Sequence, residues 1–378
     1  MNIKPSLRSV PFFNYAALFT EKEKELIDVM LDVCRRGAYI LQRDLIEFEK
    51  NLAEFMGVKY AFGVANGTDA IWLGLKAVGI GSGDEVILPS HTYIATAAAV
   101  HFVGATPVLA DIGVDHMLDP ASVEGLITPR TKAIMPVQVN GRMCDMDALQ
   151  AIADKHGLMI VEDAAQGLGS CFNGKMAGTF GQFGTISFYP AKLLGCFGDG
   201  GAVVTNDDEI AEKVALLRDH GRNEKGRVIA WGFNSRLDNF HAAILNFKLK
   251  TFSEDIVRRR VIAACYQERL GKVKELTLPP APLVDSQYFD VYQNYELEAD
   301  CRDELRAYLV QQGIATIVQW AGTPVHQFHE LGFIDIQLTN TDRFFTRCLM
   351  LPMNVTLTNE DIHYICDMIL TFYGYPVE

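Results

Sequence analysis

Lys192 closes the run Ser187-Phe188-Tyr189-Pro190-Ala191-Lys192, and glycines follow at Gly195 and in Gly198-Asp199-Gly200-Gly201. Upstream, an apolar stretch ends in Val161-Glu162-Asp163-Ala164-Ala165-Gln166. This order of residue types supplies a carboxylate for a pyridine nitrogen, a hydroxyl for a phosphate and an amine for a Schiff base. Those are the groups that hold and use pyridoxal phosphate. Taken singly, Asp163 reads as a helix cap and Lys192 as a surface lysine. Their spacing, and the aromatic and glycine residues around Lys192, favour the chemical reading. A lysine in a partly apolar pocket has its charged form disfavoured, which suits a nucleophile and base. Gly67 and Thr68 open a helix whose free N–H groups make an anion site, Ser187 adds a hydroxyl, and Tyr93 offers a ring for stacking.

Such a site needs a sheet to carry it. Short apolar runs alternate with helical periodicity from about Lys24 to Asn206. Strands are expected at Tyr60–Val64, Glu85–Leu88, Thr106–Ala110, Lys132–Val137, Leu158–Glu162, Gly184–Phe188 and Ala202–Thr205. Helices are expected at Ala70–Val78, Thr92–Phe102 and Asp145–Lys155 between them. This alternation predicts an α/β fold with a mostly parallel sheet covered on both faces, and ligands at the carboxyl ends of its strands. Continuous helical periodicity then runs from Leu237 through Lys250 into Glu254–Leu270. After Pro279-Pro280 comes a smaller α+β unit with a strand Val291–Leu297 and helices Asp303–Gln311 and Asn359–Phe372. The predicted division is a large cofactor-binding domain at 1–250 and a small C-terminal domain at 251–378.

Composition narrows the rest. The 378 residues are 49% hydrophobic and carry a net charge of −13, so no global basic field favours nucleic acid or an acidic membrane. Eight scattered cysteines without a C-x-x-C pair read as reduced thiols, and nine histidines show no zinc spacing, so no metal is expected. With no signal-like opening and no sustained apolar span, the expected compartment is the cytoplasm. Gly79-Ile80-Gly81-Ser82-Gly83 leads into a strand instead of out of one, which removes it as a dinucleotide loop.

The chain resembles the DegT/DnrJ/EryC1/StrS family of sugar aminotransferases, fold type I pyridoxal phosphate enzymes. The likeness runs in order from Gly37-Ala38-Tyr39-Ile40 through Ala65-Asn66-Gly67-Thr68-Asp69, Glu162-Asp163-Ala164-Ala165-Gln166 and the Lys192 run. It continues to Asp219-His220-Gly221-Arg222, Gly232-Phe233-Asn234-Ser235-Arg236 and Pro324-Val325-His326. The resemblance implies a seven-stranded-type sheet and assigns roles. Lys192 matches the Schiff-base lysine, Asp163 the partner of the pyridine nitrogen, and Gln166 the neighbour of the ring phenolate oxygen. Tyr93 matches the stacking ring, and Gly67, Thr68 and Ser187 the phosphate cradle. Asn234 matches a residue reaching the neighbouring subunit's phosphate, which implies a homodimer with shared active sites. Tyr39, Arg142, Arg236, Trp320 and His326 are the expected substrate contacts. The chain departs from the family at Gln42, Asn140, Ala191 and His241, where glycine, an aromatic, threonine and glutamine are common.

The implied reaction takes an amino group from glutamate, through pyridoxamine phosphate, to a nucleotide-linked keto-6-deoxy sugar. The product would serve a surface glycan such as a lipopolysaccharide O-antigen, or a glycosylated metabolite. Ser90-His91-Thr92-Tyr93 resembles members acting at C3 of dTDP-sugars. The alternatives are amination at C4 of a UDP-, GDP- or dTDP-sugar, a 3-dehydratase, and a non-catalytic regulatory protein of the same fold. The dehydratase branch carries histidine where Lys192 stands, and a non-catalytic protein would not need Lys192 and Asp163.

Overall fold

The computed structural model describes residues 8–283 and 286–377. Seven strands form the central sheet: β1 (Tyr60–Val64), β2 (Glu85–Pro89), β3 (Thr106–Ala110), β4 (Thr131–Ile134), β5 (Met159–Asp163), β6 (Phe183–Ser187) and β7 (Gly201–Thr205). Their spatial order is β1-β7-β6-β5-β4-β2-β3. Only β7 runs against its neighbours, pairing antiparallel with both β1 and β6. The apolar strands β2 and β7 are buried along their whole length, as strands covered on both faces must be. Alternate residues feed two separate cores. Ile87 and Val204 face the one containing Phe48, while Val86, Leu88 and Val203 face the one containing Ile71 and Leu73.

Local signals set the helices. Asn66 caps the helix Gly67–Ala77 by accepting from Asp69 N at 2.8 Å. Asp145 caps Met146–His156, and Gly157 ends it in the left-handed conformation at φ 66°. The expected continuous helix from Leu237 to Leu270 is instead two, Asn239–Leu249 and Phe252–Leu270, broken at Lys250-Thr251. The second bridges the two units. Its Phe252 and Ile256 join the large-unit core, and its Ile262, Tyr266 and Leu270 join the C-terminal one.

The C-terminal unit is built on a three-stranded antiparallel sheet with Tyr295–Ala299 between Leu276–Thr277 and Cys348–Leu351. Sequence patterning missed the two outer strands. It also started the central one too early: Val291–Asn294 is not strand, and Tyr292 takes a left-handed φ of 53°. That turn frees Gln293 and Asn294 to reach the large unit. Val10 lies in the C-terminal core and bonds to Gly313 and Ala315, so residues near the amino end pack on the small unit and not within a strict 1–250 domain. All eight cysteines are free. Among the described residues no helix is long and apolar enough to cross a membrane, and no side-chain cluster suits a metal ion.

Candidate active site

Asp163 is the last residue of β5 and Ser187 the last of β6, its parallel neighbour. Lys192 lies in the loop after β6, and Gly67 starts the helix after β1. Because β1, β5 and β6 run the same way, these groups reach one edge of the sheet. There they line a cleft of about 550 Å³ together with Thr68, Tyr93, Gln166 and Trp320.

Asp163 is buried. Its Oδ2 accepts from Thr96 Oγ1 at 2.7 Å and its Oδ1 from Ala165 N at 3.1 Å. Thr96 spends its proton on the carboxylate, so Thr92 Oγ1, 2.6 Å away, donates to Thr96. Burial pushes the Asp163 carboxyl up, against the pull of Thr96, Ala165 N–H and Lys192. The Lys192 amine is pushed down to about 8 by burial, with Asp163 opposing. For both groups desolvation outweighs their mutual attraction. A ligand offering a ring N–H to Asp163 and a carbonyl to Lys192 would relieve both.

The anion end is equally specific. The first-turn N–H groups of Gly67 and Thr68 point out of the helix toward the cleft. A Cβ on Gly67 would lie 3.0 Å from Ser187 Cβ and 3.3 Å from its hydroxyl, so a side chain there would press Ser187 away from the helix end. A Cβ on Gly201 would lie 2.5 Å from the Asn66 carbonyl carbon and oxygen, which locks the β7 start under the same turn. Tyr93 is 57% exposed, leaving its ring available for stacking. These residues are of the types pyridoxal phosphate needs: the helix end and Ser187 would hold its phosphate, Asp163 its ring nitrogen, and Lys192 its aldehyde carbon.

Two supports were not read from the sequence. One is the Thr92–Thr96 hydroxyl chain behind Asp163, which helical i, i+4 spacing could have suggested. The other is Gln293, from the small unit. Its Nε2 donates to Ala191 O and its Oε1 accepts from Leu193 N, both at 2.7 Å, so one amide brackets the residue between them, Lys192. A contact across 100 residues leaves no local signal. Replacing Gln293 by Ala strands both backbone groups and loosens the lysine loop. The expected result is a kcat lowered roughly 10- to 100-fold, since small misplacements of a reacting group cost that much. Steady-state kinetics on Gln293→Ala check this, and an unchanged kcat would show that the loop holds without the bracket.

Other expected contacts lie elsewhere. Arg142 turns into a second, smaller cavity with His91, Asn140 and Glu296, where its Nη1 is 3.6 Å from Asp290. Arg236 bonds Asp219 at 2.9 Å. His326 is buried with both ring nitrogens engaged, Nδ1 with Ser90 Oγ at 2.8 Å and Nε2 with Asp342 at 3.0 Å. Tyr39 and Asn234 are exposed outside this chain's cleft. Of the expected substrate contacts, Trp320 alone lines it. His91 is buried behind Trp320, with ring centroids 5.4 Å apart, so it shapes the wall without facing the cleft.

Sheet order and site chemistry together define a class, the fold type I aminotransferases that work with pyridoxal phosphate. Within it the chain belongs to the DegT/DnrJ/EryC1/StrS aminotransferase family, whose model matches residues 20–370. It is 41% identical over 345 residues to the UDP-2-acetamido-2-deoxy-3-oxo-D-glucuronate aminotransferase of Pseudomonas aeruginosa, covering 91% of this chain and 95% of the relative. It is 43% identical over 328 residues to the dTDP-3-amino-3,4,6-trideoxy-alpha-D-glucose transaminase of Streptomyces venezuelae, covering 86% and 85%. The crystal structure of S. venezuelae DesV in complex with a ketimine intermediate matches with a TM-score of 0.93 at 39% identity, covering 97% of this chain and 99% of that one.

Proposed function

We propose that this enzyme moves the amino group of glutamate to C3 of a dTDP-linked 3-keto-6-deoxyhexose. It does so as a homodimer in which Asn234 of each subunit completes the phosphate site of the other. The observation carrying the chemistry is the convergence of the Lys192 amine, the buried Asp163 carboxylate and the Gly67–Ser187 cradle on one cleft. Pyridoxal phosphate, when bound, supplies an electron sink for the pair left by proton removal. Lys192 would take the proton from the α-carbon of glutamate and, in the second half-reaction, deliver a proton to the sugar carbon that receives nitrogen. Asp163 would hold the ring nitrogen by a hydrogen bond. Glutamate leaves as 2-oxoglutarate, and the keto oxygen of the sugar leaves as water when nitrogen takes its place.

Both named relatives bear their reacting oxo or amino group at C3, which supports that position; the Streptomyces one supports the dTDP carrier. Exposed apolar side chains support the dimer. Tyr189 at the cleft and Trp231, 96% exposed three residues before Asn234, are surfaces that a partner would cover.

The test is a panel of dTDP-, UDP- and GDP-linked 3-keto and 4-keto sugars, each given to enzyme first reacted with glutamate. The expected outcome is at least ~10-fold higher kcat/KM for the dTDP 3-keto sugar. Preference for a 4-keto sugar rejects C3, and preference for UDP rejects the carrier. A cofactor spectrum unmoved by glutamate rejects the donor.

A further inference from the structure

We propose that Glu296, on the small unit, is a positioning residue that fixes Gln166 against the cofactor ring by holding Asn140. This rests on the reading that Gln166 meets the ring phenolate oxygen. Gln166 lines the cleft, and its Oε1 accepts from Asn140 N at 2.7 Å. That bond decides the orientation of the amide. With its oxygen turned to Asn140, its nitrogen is the end presented to the cleft, a donor for an anionic oxygen.

Asn140 is itself held. Its backbone is left-handed at φ 58°, a conformation that costs a non-glycine residue energy unless contacts enforce it. Its Nδ2 donates to Glu296 Oε2 at 2.6 Å, and its Oδ1 accepts from Asn294 Nδ2 at 2.8 Å. The Gln319 amide, oriented by its partners, donates to the Glu296 carboxylate at 2.9 Å and 3.0 Å and to Asn140 Oδ1 at 3.1 Å. Glu296 is buried, so its carboxylate relies on donors such as these in place of water.

The groups facing Glu296 are His91, whose Nε2 is 3.6 Å away, and the Cys348 thiol on the paired strand; Asp163 is the charge facing Lys192. A donor on the phenolate oxygen draws off the negative charge that keeps a proton on the neighbouring lysine-bound nitrogen. Losing that donor raises the pH at which this proton leaves. The proton is read directly in the absorbance of the pyridoxal phosphate-loaded enzyme as pH is varied.

The experiment compares Gln166→Ala, Glu296→Ala and the double variant. Each single change is expected to raise the absorbance midpoint by about half a pH unit or more, and the double variant to move no further than Gln166→Ala alone. Should Glu296→Ala fail to fold, Asn140→Gly replaces it. The glycine keeps the left-handed backbone and the N–H to Gln166 while removing the group that Glu296 holds, and an upward shift is expected from it. A Glu296 variant that lowers Tm but leaves the midpoint at the wild-type value overturns the proposal, because the residue then only joins the two units. Additive shifts overturn it too, since Glu296 would then act on the ring independently of Gln166. If Gln166→Ala itself leaves the midpoint unmoved, the placement of Gln166 fails and the proposal with it.

Discussion

Lys192→Ala is expected to keep its capacity to bind pyridoxal phosphate and to lose turnover by roughly 10⁴-fold, the upper range for removing a group that moves the proton. Retention follows from the geometry, because the Gly67 helix end stands just after β1, and Asp163 and Ser187 end β5 and β6, independently of the lysine. Loss follows because no other amine lines the cleft among the described residues. Its reactivity carries a pH signature. With the amine pushed down to about 8, the uncharged fraction at pH 7 is roughly 300-fold greater than for an ordinary lysine. In wild-type apoprotein the rate of reaction with added cofactor should therefore rise with pH and level off above about 8. Borohydride reduction and peptide mapping check the attachment. A label on another lysine, or a Lys192→Ala variant with near-normal turnover, would remove Lys192 from its role.

The parts of this enzyme that local rules govern were legible in its sequence. All seven strands of the large sheet fall within three residues of their expected ends, because apolar runs of four to six residues bounded by caps and glycines leave few alternatives. Asp163, Ser187 and Gly67 converge for the same reason, since each sits at the end of a strand or the start of a helix whose direction the alternation dictates, and Lys192 follows in the loop after β6. What sequence could not give is what crosses between the two units. Gln293, Asn294 and Glu296 act on residues 100 to 156 positions away, and the turn that frees them replaces the first half of an expected strand. Arg142 is one of the substrate contacts that the resemblance implies. After the left-handed Asn140 and Gly141 it faces Asp290, where its Nε and Nη1 find no hydrogen-bond partner.

The same opposition between function and burial predicts the behaviour of Asp163. Its carboxyl is pushed up because burial costs the charge more than Thr96, Ala165 N–H and Lys192 return. A folded-state value above the unfolded one means that ionised Asp163 weakens the apoprotein. That penalty is absent at pH values below the unfolded carboxylate range, grows as pH rises through it, and is fully present above the folded value. An asparagine in place of Asp163 would fill the same space without charge, and its amide can still serve Thr96 and Ala165. Apoprotein carrying Asp163→Asn is therefore expected to melt about 2 °C higher than wild type at pH 7, and to lose this advantage as pH falls toward about 4. Loaded enzyme should show the reverse. A neutral amide no longer favours a protonated ring nitrogen, the electron sink weakens, and kcat should fall by roughly 10²- to 10³-fold, the range for removing one preorganised electrostatic partner. Calorimetry of the two apoproteins and single-turnover kinetics with glutamate measure the two effects. A variant that gains no stability and loses no activity would mean that Asp163 is a helix cap and that some other group serves the ring. Stability gained at the cost of activity would mark Asp163 as a charge this fold carries for its chemistry.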